Sequence, residues 1–285
     1  MHILYHGNCP DGFGSALVAW LKFGDKATYT PVYHNRPVPE LQSKQVYMID
    51  FCYSFEQMKE ISQQVDKLTL IDHHEGVTLI AEKLKALTNV EVYFDINNSG
   101  SVLAWKYFYP NKTVPKLLQY IEDRDCHFNK IAEAKPALMW LDTQPFVFSL
   151  WKTFLNFKDE AWEKVVSYNQ PMVKKFNSMI KKAAKQSVST TLGGYPAGLC
   201  FGTEETASDI ATEIAKKVSG IGIVFVMQTN GTIKASIRTN QEINLIPIAQ
   251  KLGGNGHPYA AAFPCTPEKM AFALKGNDLF NYQIQ

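Results

Sequence analysis

Four short segments gather side chains able to hold a cation: HGNCPDG with His6 and Asp11, MIDF with Asp50, IDHHEG with Asp72, His73 and His74, and IEDRD with Asp123 and Asp125. Carboxylates and neutral imidazoles suit a hard-to-borderline divalent ion such as Mn2+, whereas a soft site would recruit more thiolates. Two such ions a few ångströms apart share a bridging carboxylate, activate water near neutral pH and clamp a phosphoryl group. The chemistry these residues point to is hydrolysis of phosphate esters or anhydrides. No single aspartate carries that conclusion, because an Asp after a strand is most often a helix cap or a turn residue. The run Asp72-His73-His74 is more specific: adjacent residues at a strand end project to opposite sides, and two sheltered imidazoles need partners there.

These residues must be positioned by the elements around them. Short β-rich runs at 2–6, 28–34, 45–51, 67–73 and 90–96 alternate with stretches of helical spacing such as FGSALVAWLKF from Phe13 and FEQMKEISQQV from Phe55. That alternation predicts an α/β fold with a parallel sheet. Asp11, Asp50 and Asp72 then fall at or just beyond C-terminal strand ends, the edge where open α/β sheets collect ligands. Ser99-Gly100-Ser101 opens the helical run SVLAWKYF, with Ser99 read as an N-cap ahead of an anion site at that helix end.

From about Phe157 to Gln186 the pattern becomes one long lysine-rich helix, read as a connector with a solvated face. Beyond it a second α/β pattern begins at LGGYPAG: a strand, the helix SDIATEIAKKV, and two β runs joined at Asn230-Gly231, a hairpin signal. The expected organisation is an N-terminal parallel-sheet catalytic domain at 1–156, a helical linker at 157–188 and a smaller α/β domain at 189–285. Near the end, GGNGHPYAAAF from Gly253 brings backbone amides into the open. Gly254 and Gly256 permit close approach to an anion, and His257 adds a polar ring. Without other information a tight turn after the helix IPIAQKL explains the same glycines.

Together these motifs resemble the DHH phosphoesterase superfamily, in its group with a C-terminal DHHA1 domain. Asp72-His73-His74 matches the name-giving motif, Asp11-Gly12 the end of the first motif, Asp50 the second and Asp123 the fourth, while GGNGH and Arg238 in SIRTN match the C-terminal domain. The resemblance runs through nearly the whole chain in order. It implies that His6 and Asp11 bind different metals, that Asp50 bridges two Mn2+ ions (Mg2+ being the substitute), and that His73 and Asp123 complete the second site. It also implies that His74 faces the substrate phosphate, that Asp72 orients its neighbours, and that Arg238, Gly254, Gly256 and His257 hold substrate. Catalytic roles fall on Asp50 and His74.

One position departs from the pattern. Many relatives carry Asp-x-Asp in the first motif, and here Cys9 stands two residues before Asp11. Cys9 is either a soft ligand or redox-sensitive neighbour, or a small packed side chain, the second being the favoured reading. Asp123 is preferred to Asp125 as the fourth-motif ligand, with both in reach of the role.

Bulk properties set the limits. With 285 residues, 46% hydrophobic, and a formal charge of +2, the chain can bury two modest cores and shows no global polyanion-binding surface. Five scattered cysteines without a CxxC pair argue against a disulfide framework or structural zinc and fit a reducing cytoplasm. The opening MHILYHGNCPDG has no signal-peptide pattern, and no apolar run reaches the ~20 residues of a membrane span. The favoured function is a metal-dependent phosphodiesterase acting on short oligonucleotides or small nucleotides, held in an interdomain cleft. An exopolyphosphatase or pyrophosphatase-like enzyme is the first alternative, and a nucleic-acid-binding module without catalysis the second. A homodimer is compatible with the resemblance.

Overall fold

The structure is a computed structural model describing residues 1–34 and 36–282. The chain divides into two compact units, Met1–Val173 and Lys174–Gln285.

The first unit contains β1 (His2–His6), α1 (Pro10–Phe23), β2 (Thr28–Val32), β3 (Gln45–Ile49), α2 (Phe55–Gln64), β4 (Lys67–Asp72), α3 (Thr78–Leu84), β5 (Val90–Phe94), α4 (Gly100–Phe108), α5 (Lys116–Asp125), α6 (Ala134–Leu141), α7 (Phe148–Leu155) and the start of α8 (Asp159–Lys185). Its five strands are all parallel in the order β2-β1-β3-β4-β5. The order reverses between β1 and β3, which makes that pair the switch point where crossovers diverge to opposite sides and leave a crevice. Strand residues explain the layering, since neighbours along a strand face opposite sides. Ile3, Ile49 and Ile71 pack against α1 and α4 through Leu17, Val102 and Leu103. Leu4, Met48 and Leu70 pack on the other face against Met58 and Ile61 of α2 and Ala81 and Leu84 of α3.

The strands match the expected runs but end up to two residues earlier, and the reason is local. Beyond Ile49 the backbone turns into the left-handed region at Asp50 (φ 57°), so the chain leaves the ladder where the side chain must be displayed. After it, α2 is fixed by a reciprocal cap: Ser54 accepts from the Gln57 amide and Gln57 accepts from the Ser54 amide.

The second unit holds the end of α8 and β6 (Val188–Leu192), β7 (Tyr195–Phe201), α9 (Glu204–Val218), β8 (Ile221–Met227), β9 (Ile233–Thr239), α10 (Leu245–Lys251), β10 (Asn255–His257), β11 (Ala260–Cys265) and α11 (Pro267–Leu274). Its six-stranded sheet runs β10-β11-β9-β8-β7-β6, with β7 and β8 parallel and the other pairs antiparallel. Val224 and Val226 meet α9 and the end of α8 on one face, and Ile223 and Phe225 meet the cluster containing Leu245 and Ala273 on the other. The expected hairpin is present as β8 and β9. Its connection is a longer loop in which Asn230 accepts from the Thr232 amide and Gly231 takes φ 80°. Among the described residues no helix is long and apolar enough to cross a membrane.

Gly222 shows how tightly α9 sits on β8: a Cβ there would lie 1.8 Å from the Ala211 carbonyl oxygen. Gly222→Ala is expected to cost about 1–3 kcal/mol through overpacking. Urea unfolding followed by far-ultraviolet circular dichroism checks this; an unchanged midpoint would show that α9 lifts away freely.

Candidate active site

The functional side chains meet at the C-terminal edge of the first sheet, around the β1–β3 switch point. His6 ends β1, Asp11 sits in the first turn of α1, Asp50 follows β3, and Asp72 ends β4 with His73 and His74 just beyond. Two glycines allow the approach. A Cβ on Gly12 would lie 2.1 Å from the His6 carbonyl oxygen, and one on Gly100 would lie 2.6 Å from Asp50 Cβ.

His73 is the hub. Its Nε2 is 3.2 Å from Asp50 Oδ1, 3.3 Å from Asp125 Oδ2 and 3.8 Å from Asp11 Oδ2. Despite those neighbours, this buried nitrogen makes no well-directed hydrogen bond. On the other side, His6 Nδ1 is 3.6 Å from Asp50 Oδ2, so the two oxygens of Asp50 face two different imidazoles. Three groups of side chains each offer ligand atoms lying within 4.8 Å of one another: His6, Cys9 and Asp50; Asp50, His73 and His74; and His73, Asp125 and Cys126.

Asp11 is almost wholly buried and is held by backbone. Gly100 N donates to its Oδ2 at 2.7 Å and Ser101 N to its Oδ1 at 3.0 Å. The N-terminus of α4 therefore does bind an anion, and that anion is Asp11 of the protein itself. Ser99 caps the same helix through Val102 N. Asp72 is an orienting residue: its Oδ1 accepts from His73 N (2.6 Å) and His74 N (3.0 Å) and lies 2.8 Å from His74 Nδ1. That contact leaves His74 Nε2 on a side chain that is 41% exposed.

The fourth-motif residues are placed the other way round from the expectation. Asp123 is buried, but its carboxylate turns back to accept from the Lys130 and Ile131 amides and pins the loop after α5. Asp125 instead joins the cluster. The difference is helical geometry, since two residues on an α-helix are separated by about 200°. Asp125 continues the row Leu118–Ile121, and a Cβ on Gly14 of α1 would touch both of those side chains. The same row brings Cys126, which no sequence motif flagged, next to His73 and Asp125.

Electrostatics follow from three converging carboxylates, of which Asp11 and Asp50 are buried and Asp125 is partly exposed. Burial pushes the Asp11 and Asp125 carboxyls up, and the charge of Asp50 pushes them further. Burial also opposes ionisation of Asp50, but contacts with His6 and His73 outweigh it and bring the group down to about 2. For His73, burial opposes the charge, while Asp50, Cys126, Asp11 and Asp125 outweigh it and push the ring up to about 11. His74 is likewise raised, burial opposing and Asp72 prevailing. Burial, with Asp50 and Asp11 adding to it, pushes the Cys9 thiol up to about 12.

This donor set fits divalent cations. An imidazole nitrogen without a partner amid three carboxylates is what a cation would replace, and His6, Asp11, Asp50, His73 and Asp125 supply borderline and hard donors on both sides of Asp50.

In the second unit, Arg238 on β9 is opposite Ala260 of β11, which is opposite His257 of β10, so one cross-strand row carries both polar residues. Arg238 is largely sheltered, with Nε donating to Ser208 Oγ at 3.1 Å and Nη1 to the Ile237 carbonyl at 2.9 Å. Gly254 and Gly256 lie hard against β11: a Cβ on Gly254 would be 2.0 Å from the Ala262 carbonyl oxygen, and one on Gly256 2.4 Å from Ala261 Cα.

Residues 195–279 match the DHHA1 domain family. Over 96% of its length the chain superposes on the pGpG-specific phosphodiesterase PggH of Vibrio cholerae (TM-score 0.53, 12% identity, 96% of that chain). It superposes similarly on the DHH domain of a member of the S1p family of ribosomal proteins (TM-score 0.57, 15% identity, 96% of this chain and 85% of that one). An uncharacterised protein, R106 of Acanthamoeba polyphaga mimivirus, is 33% identical over 170 residues, 54% of this chain; the chain thus spans only 40% of that relative's length. The parallel-sheet first unit is followed by a DHHA1 domain. The chain thus carries a DHHA1 domain at residues 195–279 and shares its overall fold with solved proteins that include a DHH domain.

A carboxyl whose folded pKa exceeds its unfolded value destabilises the fold increasingly as pH rises above that unfolded value, 3.8 for Asp11 and Asp125. Cation binding favours the ionised forms and offsets the penalty. The rise in thermal midpoint on adding Mn2+ is therefore expected to be larger at pH 8 than at pH 5. Differential scanning fluorimetry checks it, and equal rises at both pH values would contradict the electrostatic account.

Proposed function

We propose that the chain is a metal-dependent phosphodiesterase acting on short oligonucleotides or small linear nucleotides. The observation that carries the reading is the placement of Asp50 with one carboxylate oxygen toward His6 and the other toward His73, which has Asp11 and Asp125 about it. In this reading His6, Asp11, Asp50, His73 and Asp125 would hold the divalent cations. Such ions, when bound, polarise a phosphoryl oxygen and make water a competent nucleophile near neutral pH. Mn2+ is the natural first ion to try, with Mg2+ as its substitute.

The protein's own contribution is orientation and proton handling. Asp72 fixes the His74 ring through Nδ1, so Nε2 is directed away from that contact. The same carboxylate favours the protonated ring, which lets His74 donate to a phosphoryl oxygen or to the departing alkoxide. Asp11 and Asp50 are nearly inaccessible, so the charges they carry act with little screening. Arg238, Gly254, Gly256 and His257 of the second unit are assigned to holding an anionic group of the substrate. The substrate class draws support from the pGpG specificity of the Vibrio cholerae structural neighbour. A binding module without catalysis is disfavoured by the completeness of the cluster.

Purified protein with Mn2+ is expected to release mononucleotides from a linear dinucleotide. Asp50→Ala and Asp125→Ala should each lower kcat/KM by about 10²-fold or more, on the scale of disrupted metal sites. Asp123→Ala should retain turnover and lose about 1–3 kcal/mol of stability, because the Lys130 and Ile131 amides lose their acceptor. Full activity in Asp125→Ala with loss in Asp123→Ala would reverse the assignment. Polyphosphate hydrolysis with no dinucleotide cleavage would replace the substrate class.

A further inference from the structure

The proposed metal centre contains sulfur as well as oxygen and nitrogen. Two of its ligand groups have the same composition, one imidazole, one carboxylate and one thiol: His6, Cys9 and Asp50 on one side, and His73, Asp125 and Cys126 on the other. Each thiol has ligand atoms of the other two residues within 4.8 Å. Cys9 occupies the N-cap position of α1, where the Gly12 amide faces its sulfur without forming a well-directed capping bond. Cys126 follows α5 and stands beside His73, whose buried Nε2 makes no well-directed hydrogen bond. Both cysteines are free thiols and only partly exposed.

We propose that Cys9 and Cys126 are metal ligands, one at each cation, and that they tune the centre toward thiophilic borderline ions such as Zn2+, Fe2+ or Co2+ and away from Mg2+. This deepens the phosphodiesterase reading, on whose metal centre it rests. When a sulfur–metal bond forms, each thiol gives up one proton to solvent, and no electron changes hands. Thiolate softness together with the Irving–Williams order ranks Co2+ and Zn2+ above Mn2+ at such a site, whereas the same positions filled by carboxylates would narrow the difference. The centre would still bind Mn2+, through His6, Asp11, Asp50, His73 and Asp125, only less tightly.

The test is optical and needs no turnover. The full chain is titrated anaerobically with Co2+, and its absorption is recorded for the wild type, Cys9→Ser, Cys126→Ser, the double variant and Cys9→Asp. Wild type is expected to show a near-ultraviolet thiolate-to-cobalt charge-transfer band, reduced by roughly half in each single serine variant and lost in the double variant. Cys9→Asp keeps a ligand at the position, so it should still bind two Co2+, show the reduced band, and lose about tenfold in preference for Zn2+ over Mn2+, equivalent to about 1.4 kcal/mol. Visible ligand-field bands without charge transfer in the wild type would overturn thiolate ligation while leaving the metal centre standing. A charge-transfer band surviving in the double variant would also overturn it, by assigning the sulfur to another cysteine. Absence of any Co2+ binding would overturn this proposal and the metal-dependent reading together.

Discussion

Three aspartates that repel one another, gathered around one buried imidazole, form the constraint on which the first unit is built. Buried Asp11 and Asp50 and partly exposed Asp125 cannot all be ionised so close together at little cost unless positive charge lies among them. His73 supplies part of it, and Asp50 retains its charge because imidazoles face both of its oxygens. The remaining repulsion is what a bound cation would relieve, and it is the basis of the proposed metal centre. The surrounding fold holds that conflict in place through the left-handed backbone at Asp50, the amides of α4 on Asp11, and glycines at positions 12 and 100 where a Cβ would collide.

The arrangement also explains why the site sits at this edge. Parallel strands β1 and β3 are neighbours whose following segments diverge, and His6 and Asp50 emerge from their C-terminal ends. One strand further, β4 delivers Asp72, whose single carboxylate oxygen gathers two amides and the His74 ring. The paired histidines thus divide their labour: His73 is drawn inward to the carboxylates, while His74 keeps a nitrogen toward solvent.

Much of this was legible in the residues. Alternating β-rich and helical runs gave the parallel sheet because buried strands and amphipathic helices carry different periods, and the aspartates read at strand ends do lie along one edge of that sheet. The Ser99 cap was legible from local chemistry alone. The motif does not separate Asp123 from Asp125, because both are acidic and two residues apart; which of them lies beside His73 depends on the side of α5 that faces α1, visible only as the row Leu118–Ile121–Asp125. Asp11 meeting the amides of Gly100 and Ser101 joins residues 89 and 90 positions apart, beyond any local pattern. Cys126 belonged to no recognised motif, and its significance comes from being the neighbour of Asp125. In the second unit Gly254 and Gly256 read both as a turn and as a close approach to an anion, and their positions against β11 add a packing demand for glycine that no local pattern shows.

Anomalous X-ray scattering from crystals soaked in Mn2+ tests the central claim most directly, because it locates cations without reference to catalysis. The account predicts two peaks, both contacted by the Asp50 carboxylate, one also by His6 and the other by His73 and Asp125. Peaks lying elsewhere, or none near Asp50, would mean that the aspartates are reconciled by protons and histidine alone, and the catalytic interpretation would fall with them.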